Sequence, residues 1–131
     1  MSNQTVLGFD FGVQRIGVAV GNSVTRQASP LKIITATANE AKFAEIAKLI
    51  HEWQASLCVV GIPRHPDGTA HEMTARCSRF ANQLQGRLNV AVALVDERYS
   101  SAVLEQKRGV HIDDQAAALI LQQYFDENPG A

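Results

Sequence analysis

The spacing of hydrophobic residues changes period several times along the chain, and each change marks an element. Val6-Leu7-Gly8-Phe9-Asp10-Phe11 reads as a first strand. A turn around Gly12-Val13-Gln14 leads to Arg15-Ile16-Gly17-Val18-Ala19-Val20-Gly21, where Ile16, Val18 and Val20 alternate with smaller residues. Two such runs with a short glycine-containing connection predict an antiparallel hairpin. Gln27 to Pro30 reads as a break, and Leu31 to Thr35 as a short third strand.

The period then becomes helical. Phe43, Ile46, Ala47, Ile50 and Trp53 form one apolar stripe, with Thr37 and Glu40 as a capping box and Asn39 as an alternative cap. Leu57 to Ile62 is a continuous apolar run, suited to a strand covered on both faces. Met73, Cys77, Phe80, Ala81 and Leu84 make a second helical face, with Thr69 and Glu72 as its capping box and Gly86 as its stop. Val90 to Val95 is another apolar strand. Ser100 and Ser101 cap a short helix to about Gln106, and a last helix starts near Asp113 with Ala116, Ala117, Ile120 and Tyr124 on one face. The order β-β-β-α-β-α-β-α-α implies an α/β fold, a mixed five-stranded sheet with helices on both faces.

Length sharpens this picture. At 131 residues the chain is expected to form one domain, 1–131. A hydrophobic content of 46% and a charged content of 19% exclude a disordered tail, a coiled coil and a collagen-like chain. The balance of 12 Lys+Arg against 13 Asp+Glu argues against a protein that coats nucleic acid through a broad cationic surface. No leader or membrane span is expected, so the reading is cytoplasmic, with Cys58 and Cys77 as buried thiols.

Three acidic positions break the hydrophobic pattern. Asp10 interrupts an apolar strand between Gly8 and Gly12, where a carboxylate is costly unless it is paired, with Arg15 across the hairpin, or holds a metal. Glu97 follows an apolar strand as it leaves the sheet, the end where open α/β sheets carry their chemistry. Asp113 and Asp114 open the last helix, where aspartate also serves as an ordinary cap. One carboxylate on the first strand, one after a later strand and one on the final helix can converge, and such a set suits Mg²⁺ or Mn²⁺.

The same residues resemble a known family. Gly8-Phe9-Asp10-Phe11-Gly12 with Arg15-Ile16-Gly17-Val18-Ala19-Val20-Gly21 is similar to the GxDxGxxRIGVAVG opening of the YqgF/RuvX family. Val59-Val60-Gly61-Ile62-Pro63 with Asp67-Gly68, Asp96-Glu97-Arg98-Tyr99-Ser100-Ser101, and Asp113 with Ala116-Ala117 and Leu119-Ile120-Leu121-Gln122 match three further blocks in order. The resemblance covers about Val6 to Phe125 and implies an RNase H-like fold. It implies a metal-dependent nuclease in which Asp10, Glu97 and Asp113 hold Mg²⁺ or Mn²⁺ and orient the attacking water. It puts Arg15 and Arg98 toward phosphate and gives Ser100 and Ser101 a part in ordering the site loop. Two departures stand out. Asn22 replaces a common Asp, and the stretch from Ser101 to Asp113 is short, keeping only Lys107-Arg108-Gly109 of a longer basic loop.

The expected partner is nucleic acid, with processing of the 5′ end of pre-16S rRNA favoured. The alternatives are a Holliday-junction resolvase acting on branched DNA, which needs paired sites and so a homodimer rather than a monomer, and a catalytically weak RNA-binding module. An actin-like ATPase also opens with a Gly-Asp-Gly hairpin, but needs two lobes. His65, His71 and His111 read as surface residues, Trp53 and Phe80 as core, and Tyr99 as a packed anchor.

Overall fold

A computed structural model describes residues 4–12, 14–35, 38–63, 67, 69, 72–97 and 113–128. Its elements are β1 (Thr5–Phe11), β2 (Ile16–Asn22), β3 (Ala28–Ile34), α1 (Asn39–Trp53), β4 (Ala55–Ile62), α2 (Thr74–Leu88), β5 (Ala91–Asp96) and α3 (Asp113–Glu127). The five strands form one mixed sheet in the order β3-β2-β1-β4-β5. β1 pairs antiparallel with β2 as the hairpin pattern predicts, and parallel with β4, which pairs parallel with β5. The short helix expected from Ser100 to Gln106 falls outside the described residues.

Alternation of side chains divides the sheet into two faces. Leu7, Phe9, Val18, Cys58, Val60 and Ile62 pack with Phe43 and Ile46 of α1 and Phe80 and Leu84 of α2. Phe80 is the hub of that layer, with Phe9, Phe11 and Phe43 around its ring. Val6, Ala19, Val59 and Val95 face the other way, against Ala116, Ala117, Ile120, Leu121 and Phe125 of α3.

The α3 layer is held by close approach. A β-carbon at Gly8 would stand 2.8 Å from Leu121 Cβ and 3.1 Å from the Ala117 carbonyl oxygen. At Gly21 it would stand 2.7 Å from the Phe125 ring. The lower end of α3 is fastened to the β2–β3 turn. There Arg26 donates to the Phe125 carbonyl and lies over its ring, and Gln122 bonds both Ala28 N–H (3.1 Å) and the Arg26 carbonyl (3.0 Å). Asn22 has a local task in this turn, its Oδ1 accepting from Val24 N–H at 2.7 Å.

Several boundaries differ from the sequence reading. The Gln27–Pro30 break lies largely within β3, because β3 is an edge strand and a register shift between Val18 and Ala19 accommodates Pro30. α1 begins at Asn39 after Ala38, which makes no side-chain cap bond, and Thr37 of the expected capping box lies outside the described residues. Thr69 instead bonds Asp67 Oδ1, through both N–H (2.9 Å) and hydroxyl (2.7 Å), and α2 starts later, at Thr74, whose hydroxyl donates to the Pro63 carbonyl. Gly86 lies inside α2, which ends at Asn89 in the left-handed conformation, φ 53°. Trp53, read as core from its place on the apolar stripe, is 42% exposed as the last residue of α1.

These environments set two glycine substitutions apart. Gly8→Ala should cost about 1–3 kcal/mol in urea unfolding, because Leu121 Cβ belongs to the root of α3 and the helix must move. Gly86→Ala should stabilise by about 0.5–1 kcal/mol, because nothing lies within 4 Å of the new methyl and helix propensity alone decides.

Candidate active site

β1, β4 and β5 run parallel, so their carboxyl ends share one edge of the sheet. Asp10 is the penultimate residue of β1, half-buried, on the α3 face by alternation with Val6 and Gly8. Across the hairpin it is opposite Gly17, which puts no side chain beside it. Gly12 makes the turn that follows, its N–H donating to the Arg15 carbonyl at 2.9 Å. A β-carbon there would sit 2.6 Å from that oxygen.

Glu97 continues β5 by one residue beyond Asp96, its N–H donating to the Ile62 carbonyl at 3.1 Å. It is 3% exposed. Its carboxylate leans back over Gly61, where a β-carbon would stand 2.6 Å from Oε2 and 2.7 Å from Ile120 Cδ1. Phe9 pairs with Val60 in the parallel register, so the next residues, Asp10 and Gly61, stand level on neighbouring strands. The middle strand therefore offers a bare backbone where the outer two bring carboxylates. Gly61 is the residue that sequence reasoning undervalued. Its signal was a glycine interrupting the apolar run of β4.

Electrostatics follows from this row. Burial pushes the Glu97 pKa up from 4.5 to about 8, with the negative charges of Asp10 and then Asp96 adding to it. The same field reaches Cys77 on the opposite layer. Its thiol is pushed up to about 12, first by burial and then by Glu97 and Asp10, so it stays protonated. Cys58, raised to about 12 by burial alone, is equally inert, and both cysteines are free and buried.

α3 runs antiparallel to β1, with Ala117 and Leu121 at Gly8 and Phe125 lower down at Gly21. Two residues up β1 from Gly8 is Asp10, a rise of about 6.6 Å. One turn back along α3 from Ala117 is Asp113, a rise of about 5.4–6 Å. The first turn of α3 thus comes level with Asp10. The side chains of Asp113 and Asp114 lie outside the described residues, as do Arg98, Ser100, Ser101, Lys107, Arg108, Tyr99, His65, His71 and His111. Arg15 is exposed at the hairpin end, on the same edge of the sheet. Among the described residues, no three His, Cys, Asp or Glu side chains gather to hold a metal ion. No helix among them is long and apolar enough to cross a membrane.

Comparison with known proteins finds relatives along nearly the whole chain. The family model described as "RuvX: Holliday junction resolvase" matches residues 4–127. A protein of Polynucleobacter necessarius, named "Putative pre-16S rRNA nuclease", is 54% identical over 126 residues, covering 94% of this chain and 85% of that relative. One of the same name from Bordetella petrii is 50% identical over 131 residues, covering 98% and 100%. Among solved structures, T. thermophilus RuvC in complex with Holliday junction substrate aligns with a TM-score of 0.58 at 16% identity, over 97% of this chain and 96% of that one. Fowlpox virus resolvase with Holliday junction DNA aligns with a TM-score of 0.60 at 8% identity, over 95% and 98%. These two are likenesses of fold, that of the RuvC-like resolvases, in line with the RNase H-like fold that the family resemblance implied.

The raised pKa of Glu97 gives a stability test with a fixed sign. Below about pH 4.5 the carboxyl is neutral in both states and costs nothing. Between about 4.5 and about 8 the unfolded chain releases the proton first, so stability falls as pH rises. In EDTA, Glu97→Gln should therefore melt higher than wild type at pH 8 to 9, by on the order of a few kcal/mol, with the gain fading below about pH 5. Equal melting of the two proteins across the range would contradict a buried, ionising Glu97.

Proposed function

The chain belongs to the RuvX family and is a nuclease, and on that premise we propose that it hydrolyses phosphodiester bonds of structured RNA with a divalent cation held at Asp10, Glu97 and Asp113. The observation that carries this reading is the pair of carboxylates on either side of Gly61. The negative charge of Asp10 adds to the proton affinity of the buried Glu97, and a divalent cation would relieve that repulsion. The donors are all carboxylate oxygens, which suits the hard ions Mg²⁺ and Mn²⁺ rather than zinc. The bare backbone at Gly61 leaves space for the Glu97 carboxylate that any side chain there would fill. Asp113 is proposed as the third donor because it opens α3, whose first turn comes level with Asp10.

A cation held there would supply polarisation of the phosphodiester and a lowered pKa for the attacking water. The chain's own residues do the rest. Burial keeps bulk water from Glu97, and the packing of α3 against Gly8 and Gly61 fixes the separation of the donors. Protons compete with the cation for Glu97, so affinity for the metal rises with pH toward about 8. Arg15 supplies positive charge at the hairpin end, on the side from which a phosphate would approach. Arg98, Ser100, Ser101, Lys107 and Arg108 belong to the same proposal as substrate contacts.

Processing of pre-16S rRNA is the favoured substrate reading, supported by the names of relatives at 50–54% identity. The family description and the resolvase likeness support a second reading, cleavage of four-way DNA junctions. Asp10→Asn and Glu97→Gln should each lower Mn²⁺-dependent cleavage of a pre-16S leader by more than about 100-fold while preserving the far-ultraviolet dichroism. Wild-type rates in either variant would overturn the site. Cutting of a four-way junction in preference to the leader would overturn the RNA assignment and favour the second reading.

A further inference from the structure

The opposite face of the same sheet edge holds a cavity of about 440 Å³ between the first turn of α1 and the first three turns of α2, with Phe11 of β1 in its wall. Topology places it there. α1 follows β3 and α2 follows β4, so both helices start at the carboxyl edge and direct their positive dipole ends toward it. Three cationic side chains line the cavity: Lys42, Arg76 and Arg79. Lys42 is 8% exposed, its ammonium 6.0 Å from the centre of the Phe11 ring. Arg76 and Arg79 are three residues apart on α2 and exposed, and neither has an ion pair among the described residues. Among the described residues, no carboxylate lines the cavity. The three acids of α1 are engaged elsewhere, Glu40 with Arg87 at 3.2 Å, Glu45 with Lys32 at 3.4 Å and Glu52 with Lys48 at 3.9 Å. In a chain of net charge −1, this is a local concentration of positive charge.

We propose that this cavity binds a backbone phosphate of the same nucleic-acid strand that is cut at Asp10 and Glu97, an inference that rests on the nuclease reading above. Asp10 and Phe11 are consecutive in β1 and belong to opposite faces. A strand draped over the carboxyl edge at β1 meets the acids on one side and the cationic cavity on the other. The acids repel phosphate until a cation is bound, whereas the cavity attracts it at all times. Holding the backbone here supplies grip that does not depend on the metal. Arginine suits the task, because its planar fork donates two parallel hydrogen bonds to phosphate oxygens.

The test is the double variant Arg76→Ala/Arg79→Ala, titrated in EDTA against a fluorescein-labelled RNA of pre-16S leader sequence. Kd should rise about tenfold, and the slope of log Kd against log salt should fall by about one, the share of one to two lost phosphate contacts. Arg76→Lys/Arg79→Lys should recover most of both. With Mn²⁺ the loss of cleavage should fall mainly on KM. Wild-type Kd and salt slope in the alanine variant would overturn the proposal. So would saturable binding of inorganic phosphate that depends on the two arginines while RNA binding does not, which would make the cavity a site for a free anion. The two readings separate cleanly. Arginine-dependent RNA binding by a wild-type protein that cuts nothing would uphold the cavity and overturn the nuclease.

Discussion

The distance between α3 and the sheet is the constraint on which the site rests. Gly8, Gly21 and Gly61 mark a line where the helix meets strand backbone with no side chain between. A Cβ at any of the three would lie under 3 Å from α3 or, at Gly61, also from Glu97 itself. The contact sets how far α3 stands from β1 and, through the bonds from Arg26 and Gln122 to the lower turn, how far along β1 it sits. Those two settings bring the opening residues of the helix level with Asp10. The hydrophobic packing of Ala117, Ile120 and Leu121 is thus also the means of aligning a polar site.

The same geometry explains why the carboxylates are energetically expensive. Glu97 is sealed under Ile120 beside another acid, a placement that folding alone disfavours at neutral pH. Strain of this kind is common where structure serves chemistry, since a ligand that neutralises the site returns the cost as binding energy. Cys77 reports the reach of the effect, for a thiol on the far layer feels both acids.

Most of the fold was readable from the sequence because its signals were periodic. The hairpin, the apolar runs of β4 and β5 and the stripes of α1 and α2 each have a period set by the element that carries them. The ends were harder. Ala38 caps α1 with no side-chain bond, and Gly86 is tolerated within α2, because packing along a whole helix outweighs one unfavourable terminus. Pro30 resembled a break because nothing local reveals that β3 would be an edge. At the site, Asp10 and Glu97 stood out as charges in apolar runs. Gly61 did not, since its role appears only when β5 is placed beside β4. Arg76 and Arg79 gave no signal in the sequence, because their nearness to Lys42 exists only once α1 is packed beside α2.

The strand order has a wider consequence. At the carboxyl edge the chain leaves β1 toward β2 on one side and leaves β4 toward α2 and β5 on the other. The boundary between these central strands is a topological switch point, the place where open α/β sheets leave a crevice because the connections diverge. Asp10 and Phe11 border that crevice from β1, and Gly61 borders it from β4. A route across the sheet edge is therefore written into connectivity before any side chain is chosen, and substitutions at the rim can retune what is gripped there without rebuilding the fold.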